Sequence, residues 1–153
     1  MSKDLRDLRP EVAKKAAELL IMLDRDGIRY TVTSTLRTQG EQLALYAQGR
    51  AELVLVQALR QVAGLRELHP SENKYAVTER DGVFKLSRHQ GGRAIDVVPL
   101  DERGRPSWNY AAMQAQYRSI GDKARELGWT CGQDWPPIDP ETGLGADPPH
   151  YEI

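Results

Sequence analysis

A chain of 153 residues, 40% of them hydrophobic, has the size of one domain and enough apolar content to bury a core without covalent crosslinks. Its formal net charge of -1, with acids and bases interspersed, lacks the basic footprint of a nucleic-acid binder or of a protein that lies on membranes. The lone cysteine, Cys131, excludes an internal disulfide framework and a thiolate cluster for zinc; a small buried thiol is expected.

The opening MSKDLRDLRPEVAKK alternates charged and apolar residues and never builds the apolar segment of a secretory signal. No stretch approaches the roughly 20 apolar residues that span a bilayer. The expectation is therefore a soluble, monomeric, single-domain protein, residues 1–153, made in the cytoplasm. Action elsewhere would need another factor to release it.

In chain order, Pro10 to Asp26 predicts a first helix: proline suits its first turn, Val12, Ala16, Leu19, Leu20 and Leu23 form one stripe, and Gly27 stops it. Ile28 to Thr35 alternates apolar and polar residues and is rich in β-branched side chains, so it reads as a half-buried strand. Thr38 with Glu41 forms a capping box, and a second helix is expected from there through EQLALYAQ and on to about Gly64. KYAVTERDGVFKL places Asp81 and Gly82 between two β-prone runs, which suggests a hairpin. Ala94 to Val98 is an apolar strand. Asn109 to Leu127, capped by Ser107 and ended by Gly128, is the third main helix, and WTC is a short strand. The proline- and glycine-rich segment 132–149 is expected to be a long irregular loop with a functional task.

One residue breaks this pattern. Asp96 lies inside the apolar run Ala94, Ile95, Val97, Val98, and a buried carboxylate requires a positive partner, an arginine or a metal ion. Of the three histidines, His89 precedes Asp96 by seven residues across Gly91 and Gly92, which permit a tight reversal. His150 sits in ADPPHYEI, where the prolines favour a polyproline turn that sets Asp147 and His150 on one side. Two imidazoles and a carboxylate are a sound ligand set for a catalytic zinc that keeps its fourth position for water. His89, Asp96 and His150 are the candidate ligands and Asp147, by elimination, the general base. Each spacing alone is weak. An Arg93 ion pair for Asp96, a loop-capping role for His89 and an Asx turn for Asp147 stay open.

SRHQGGRAID followed by DPPHYEI resembles the zinc D-alanyl-D-alanine carboxypeptidase and L-alanyl-D-glutamate endopeptidase family, with its signature Ser-x-His-x-x-Gly-x-Ala-x-Asp and then Glu/Asp-x-x-His. Ser87, His89, Gly92, Ala94 and Asp96 fill the first motif, and Asp147 and His150 the second. TSTLRTQGEQLALYAQGR is similar to the upstream block of phage-type members, in which an arginine after the first strand, here Arg37, points into the site. The likeness runs from the first helix to the last strand. It implies an α+β domain of helices packed on a small antiparallel sheet, the architecture shared with Hedgehog signalling domains.

The resemblance also implies Zn2+ held by His89, Asp96 and His150, with Asp147 as base and the peptidoglycan stem peptide as substrate. Arg37 would steady the scissile carbonyl or its oxyanion, and Ser87 would hydrogen-bond substrate or simply end a strand. Asp134, in GQDW, is a candidate partner for a ligand histidine. His69 is expected to be exposed, and Trp129 and Trp135 to pack the core or wall the groove. PPIDPETGLGA departs from shorter family versions and leaves the groove's shape open. With no signal segment and a phage-like upstream block, the implied protein is an endolysin that reaches the wall when the membrane is opened. A D-alanyl-D-alanine carboxypeptidase or dipeptidase would share the whole metal site. A non-catalytic Hedgehog-like zinc module is disfavoured, because it would need neither Asp147 nor Arg37.

Overall fold

Pro10 opens helix α1 (Pro10–Arg25), where its missing N–H costs nothing. Val12, Ala16, Leu19 and Leu23 recur on one face of α1 and are all buried. The computed structural model describes residues 1–153. Gly27, at φ +69°, turns the chain out of α1, and the Ile28 N–H donates back to the Leu23 carbonyl. That bond takes Ile28 out of the expected strand, while at the other end the Thr35 N–H is taken by the Ser2 carbonyl. β1 is accordingly shorter, Tyr30–Ser34.

Helix α2 (Gln39–Ala47) begins with the expected Thr38–Glu41 capping box, both of its bonds formed. It does not continue to Gly64. The chain breaks at Gln48 and Gly49 and resumes as α3 (Leu53–Val62). Gly49 adopts φ +76° and lies so close to the Tyr75–Ala76 backbone that a Cβ would fall 2.4 Å from the Ala76 nitrogen. The break admits that segment, to which Gln48 and Gly49 hydrogen-bond at Glu72 and Asn73.

The hairpin expected around Asp81 and Gly82 is absent. One Asp81 carboxylate oxygen accepts the N–H groups of Val83, Phe84 and Lys85, so the backbone is satisfied locally and has no need of a ladder. β2 (Ala94–Pro99) forms as expected. α4 (Gln114–Glu126) starts five residues later than Asn109; the Asn109 side chain caps the Ala112 N–H of a preceding turn, while the Ser107 hydroxyl accepts from the Asn109 N–H only at 3.4 Å. β3 (Thr130–Cys131) and β4 (His150–Glu152) flank the long irregular loop.

The strands make one antiparallel sheet in the order β1-β2-β4-β3. Alternation along the strands sorts its faces. Ile95, Val97, Cys131 and Tyr151 join α1, Ile120 and Ala124 of α4 and Trp129 in the main core. Asp96, His150 and Glu152 belong to the opposite face. The α+β architecture expected from the sequence is the one found. No helix is long and apolar enough to cross a membrane.

Candidate metal centre and active site

The β2–β4 register sets Asp96 directly across from His150, and the β1–β2 register sets Ser34 on its other side. His89 arrives from a 3-10 turn, Arg88–Gly91, whose last bonds close on Gly92 at φ +63°. A Cβ on Gly92 would press within 3.2 Å of the Arg9 backbone, so glycine is needed there for both conformation and space. The Ser87 hydroxyl accepts from the His89 N–H, and Gln90 closes a capping box on Ser87. Ser87 thus shapes the turn that presents His89.

His89 Nε2 lies 3.1 Å from Asp96 Oδ1, His150 Nδ1 lies 3.2 Å from the same oxygen, and the two nitrogens are 3.2 Å apart. Tetrahedral zinc with bonds of about 2.0–2.1 Å separates its ligand atoms by roughly 3.3 Å, close to this triangle. The outer nitrogens settle which atoms can bind. His89 Nδ1 meets the Thr35 carbonyl at 2.8 Å and His150 Nε2 meets Glu152 Oε2 at 2.9 Å, and both must donate to these acceptors. In the neutral rings the lone pairs of His89 Nε2 and His150 Nδ1 then converge on a carboxylate oxygen. These atoms are held at hydrogen-bond distance by positive charge, supplied by a proton on His150 in the metal-free chain or by a metal ion in its place, and the set fits zinc.

The electrostatics agree. Burial works against ionising Asp96, yet His89 and His150 prevail and hold its carboxyl well below the usual carboxylate range. Burial likewise opposes charge on His150, but Asp96 and Glu152 outweigh it and raise the imidazole to about 9. The pocket therefore favours positive charge.

Two further groups face it. Burial, reinforced by the Asp96 charge, pushes Asp147 up to about 6 against the pull of His150, His89 and Arg37. The Arg37 guanidinium lies 3.6 Å from Asp96 Oδ2, donates through Nη1 to Gln42 Oε1 at 2.8 Å, and keeps its buried Nε without a protein partner. A guanidinium fixed beside the triangle and a buried carboxyl with a raised pKa are parts that amide hydrolysis can use.

The structure brings His89, Asp96, His150, Asp147 and Arg37 together; it does not bring Asp134, which pairs with Arg125 on the surface. The carboxylate behind a ligand histidine is instead Glu152, two residues past His150 and so on the same strand face, a signal available in the sequence HYE. Arg93 does not pair with Asp96; the nearby arginine is Arg37. His69 is exposed and caps a short turn. Trp129 packs in the core, and Trp135 lies against the His150 ring, centroids 5.1 Å apart. Burial pushes the Cys131 thiol up to about 11, which keeps it unreactive.

No curated protein sequence matches the chain. Among solved structures it is similar to the L-Ala D-Glu endopeptidase ChiX of Serratia marcescens, at 20% identity over 97% of this chain and 82% of that one, with a TM-score of 0.50. It is also similar to a variant of the vancomycin-resistance D,D-pentapeptidase VanY from a VanB-type cassette in complex with Zn(II), at 21% identity, 95% and 72% coverage and a TM-score of 0.55. The LD-carboxypeptidase LdcB gives 18%, 95% and 58%, and 0.57. At such identities these likenesses show a shared fold. The family model VanY, described as D-alanyl-D-alanine carboxypeptidase, matches residues 5–152, nearly the whole length, and the chain belongs to that peptidase family.

Proposed function

We propose that the protein is a zinc-dependent peptidoglycan endopeptidase that hydrolyses the L-alanyl-D-glutamate bond of the stem peptide. The observation that carries a hydrolase reading is the convergence of His89 Nε2, Asp96 Oδ1 and His150 Nδ1 beside a carboxyl held near neutrality. The upstream block around Arg37, similar to that of phage-type members, supports the endopeptidase choice.

His89, Asp96 and His150 would hold the ion. When bound, zinc supplies a Lewis acid that acidifies water and polarises a carbonyl. Asp147 takes the proton of the attacking water and returns it to the departing amine. Burial raises this carboxyl in the metal-free chain, and a dication beside it would draw it back toward the ionised form that a base needs. Arg37 donates to the carbonyl oxygen as charge gathers there; burial strengthens that bond, and Gln42 holds the guanidinium in place. Ser87 acts through the turn that carries His89, leaving its hydroxyl a secondary candidate for substrate contact.

A second reading, D-alanyl-D-alanine carboxypeptidase, is favoured by the description of the matching family. Both use the same metal site. Digestion of purified peptidoglycan followed by mass spectrometry of the muropeptides separates them. Free stem peptides beginning at D-glutamate support the endopeptidase; loss of a terminal D-alanine alone supports the carboxypeptidase. A wall target reached after release and host-cell lysis as the biological outcome form part of the same proposal.

A further inference from the structure

The loop from Thr78 to Leu86 exposes apolar side chains beside the active site; Phe84 is 93% exposed and Leu86 63%. An open groove of about 470 Å3 runs along it, lined by Arg37, Thr38, Gly82, Val83, Leu86 and Gln90 among others. Two buried or half-buried amides fasten this loop to the site. Gln42 is completely buried; its Oε1 accepts from Arg37, and its Nε2 donates to the Arg80 carbonyl at 2.6 Å and to the Thr78 hydroxyl at 3.2 Å. Gln90 donates to the Gly82 carbonyl at 3.0 Å and accepts from the Ser87 N–H at 2.9 Å, in the turn that carries His89. Gly82 itself, at φ +82°, rests on Gln42, where a Cβ would fall 2.7 Å from Cγ.

A buried amide whose oxygen and both hydrogens are engaged is a stiff connector, since losing one arm leaves a buried polar group unpaired. We propose that Gln42 is a positioning residue that ties Arg37 to the 78–86 loop, and that this loop is the apolar wall of the substrate groove. The groove is continuous with the site at Arg37 and Gln90. Its occupant is a peptide segment that places a small apolar side chain against Val83 and Leu86 and a carbonyl or carboxylate at Arg37. This assignment rests on the peptidase reading given above.

Three variants separate the two arms of Gln42. Q42E keeps an oxygen toward Arg37 but loses the donors to Thr78 and Arg80; Q42L loses both arms. G82A pushes the loop off Gln42 and leaves the Arg37 contact intact. With muropeptide substrate and zinc content verified, Q42E and G82A are expected to raise KM at least about fivefold at little cost in kcat, while Q42L also lowers kcat about tenfold or more. In the free proteins, amide exchange at Val83, Phe84 and Lys85 is expected to quicken in Q42E and G82A. Wild-type KM in both variants, or unchanged exchange at those amides, overturns the proposal. If Q42L does not fold, Q42E and G82A decide. A wild-type protein that cleaves nothing, while the exchange changes occur, counts against the peptidase reading and leaves the tether standing.

Discussion

Asp96 stands opposite His150 in the β2–β4 ladder, with Asp96 Oδ1 3.2 Å from His150 Nδ1 and 3.1 Å from His89 Nε2. Two corners of the metal triangle are therefore set by strand register and the third by a turn. An ion bound there is bound only by the folded chain, so its removal is expected to destabilise the protein. At an ion concentration about 1,000 times Kd the loss is about 4 kcal/mol. Thermal unfolding with and without a chelator measures it; identical melting curves would speak against a metal linked to folding.

Asp147 offers a test that separates chemistry from architecture. Its carboxyl sits at about 6 in the folded chain against an ordinary 3.8, so the folded state binds the proton more tightly. The stability this confers is complete below about 3.8 and is lost as pH rises through about 6. Asp147→Asn stays neutral at pH 7 and is expected to stabilise the zinc-free protein by up to about 3 kcal/mol. In the zinc-loaded enzyme the same change is expected to lower kcat by about 100-fold or more while zinc content holds. Turnover near wild type would move the base elsewhere.

For Arg37, truncation to alanine removes a donor to the developing oxyanion, and a fall in kcat of about 100- to 1,000-fold is expected with a smaller change in KM. Arg37→Lys is expected to recover little, because an ammonium cannot hold Gln42, Asp96 and substrate through one planar fork. Full recovery would reduce Arg37 to a point charge.

Glu152 accepts from His150 Nε2 at 2.9 Å and has Arg88 Nε 3.5 Å from its other oxygen. Glu152→Gln weakens the anchor that orients the imidazole and is expected to lower zinc affinity about 10- to 100-fold. Competition with a chelator of known affinity reads this out, and unchanged affinity would make the contact incidental.

Much of this was legible in the sequence because local chemistry and spacing carry it. A carboxylate within an apolar strand announced the site, and the His-x6-Asp and Asp-x-x-His spacings supplied its partners. The Thr38–Glu41 box marked the start of α2 from four residues. The rest depends on contacts, near and distant along the chain, that no spacing rule marks. The break at Gly49 answers to the backbone of Tyr75 and Ala76, and the missing hairpin answers to one Asp81 oxygen with three amides. The resemblance of GQDW to relatives makes Asp134 a candidate partner for a ligand histidine, yet Arg125, nine residues earlier, claims it. The role of Glu152 appears only when strand alternation and the orientation of the His150 ring are read together.

Elemental analysis of the purified protein and its ligand variants tests the metal triangle most directly. About one zinc per chain is expected in the wild type, falling to background in His89→Ala, Asp96→Ala and His150→Ala, with Asp147→Asn retaining it. A wild type that takes up no zinc, or three ligand variants that all keep it, would contradict the assignment of these residues to a metal centre.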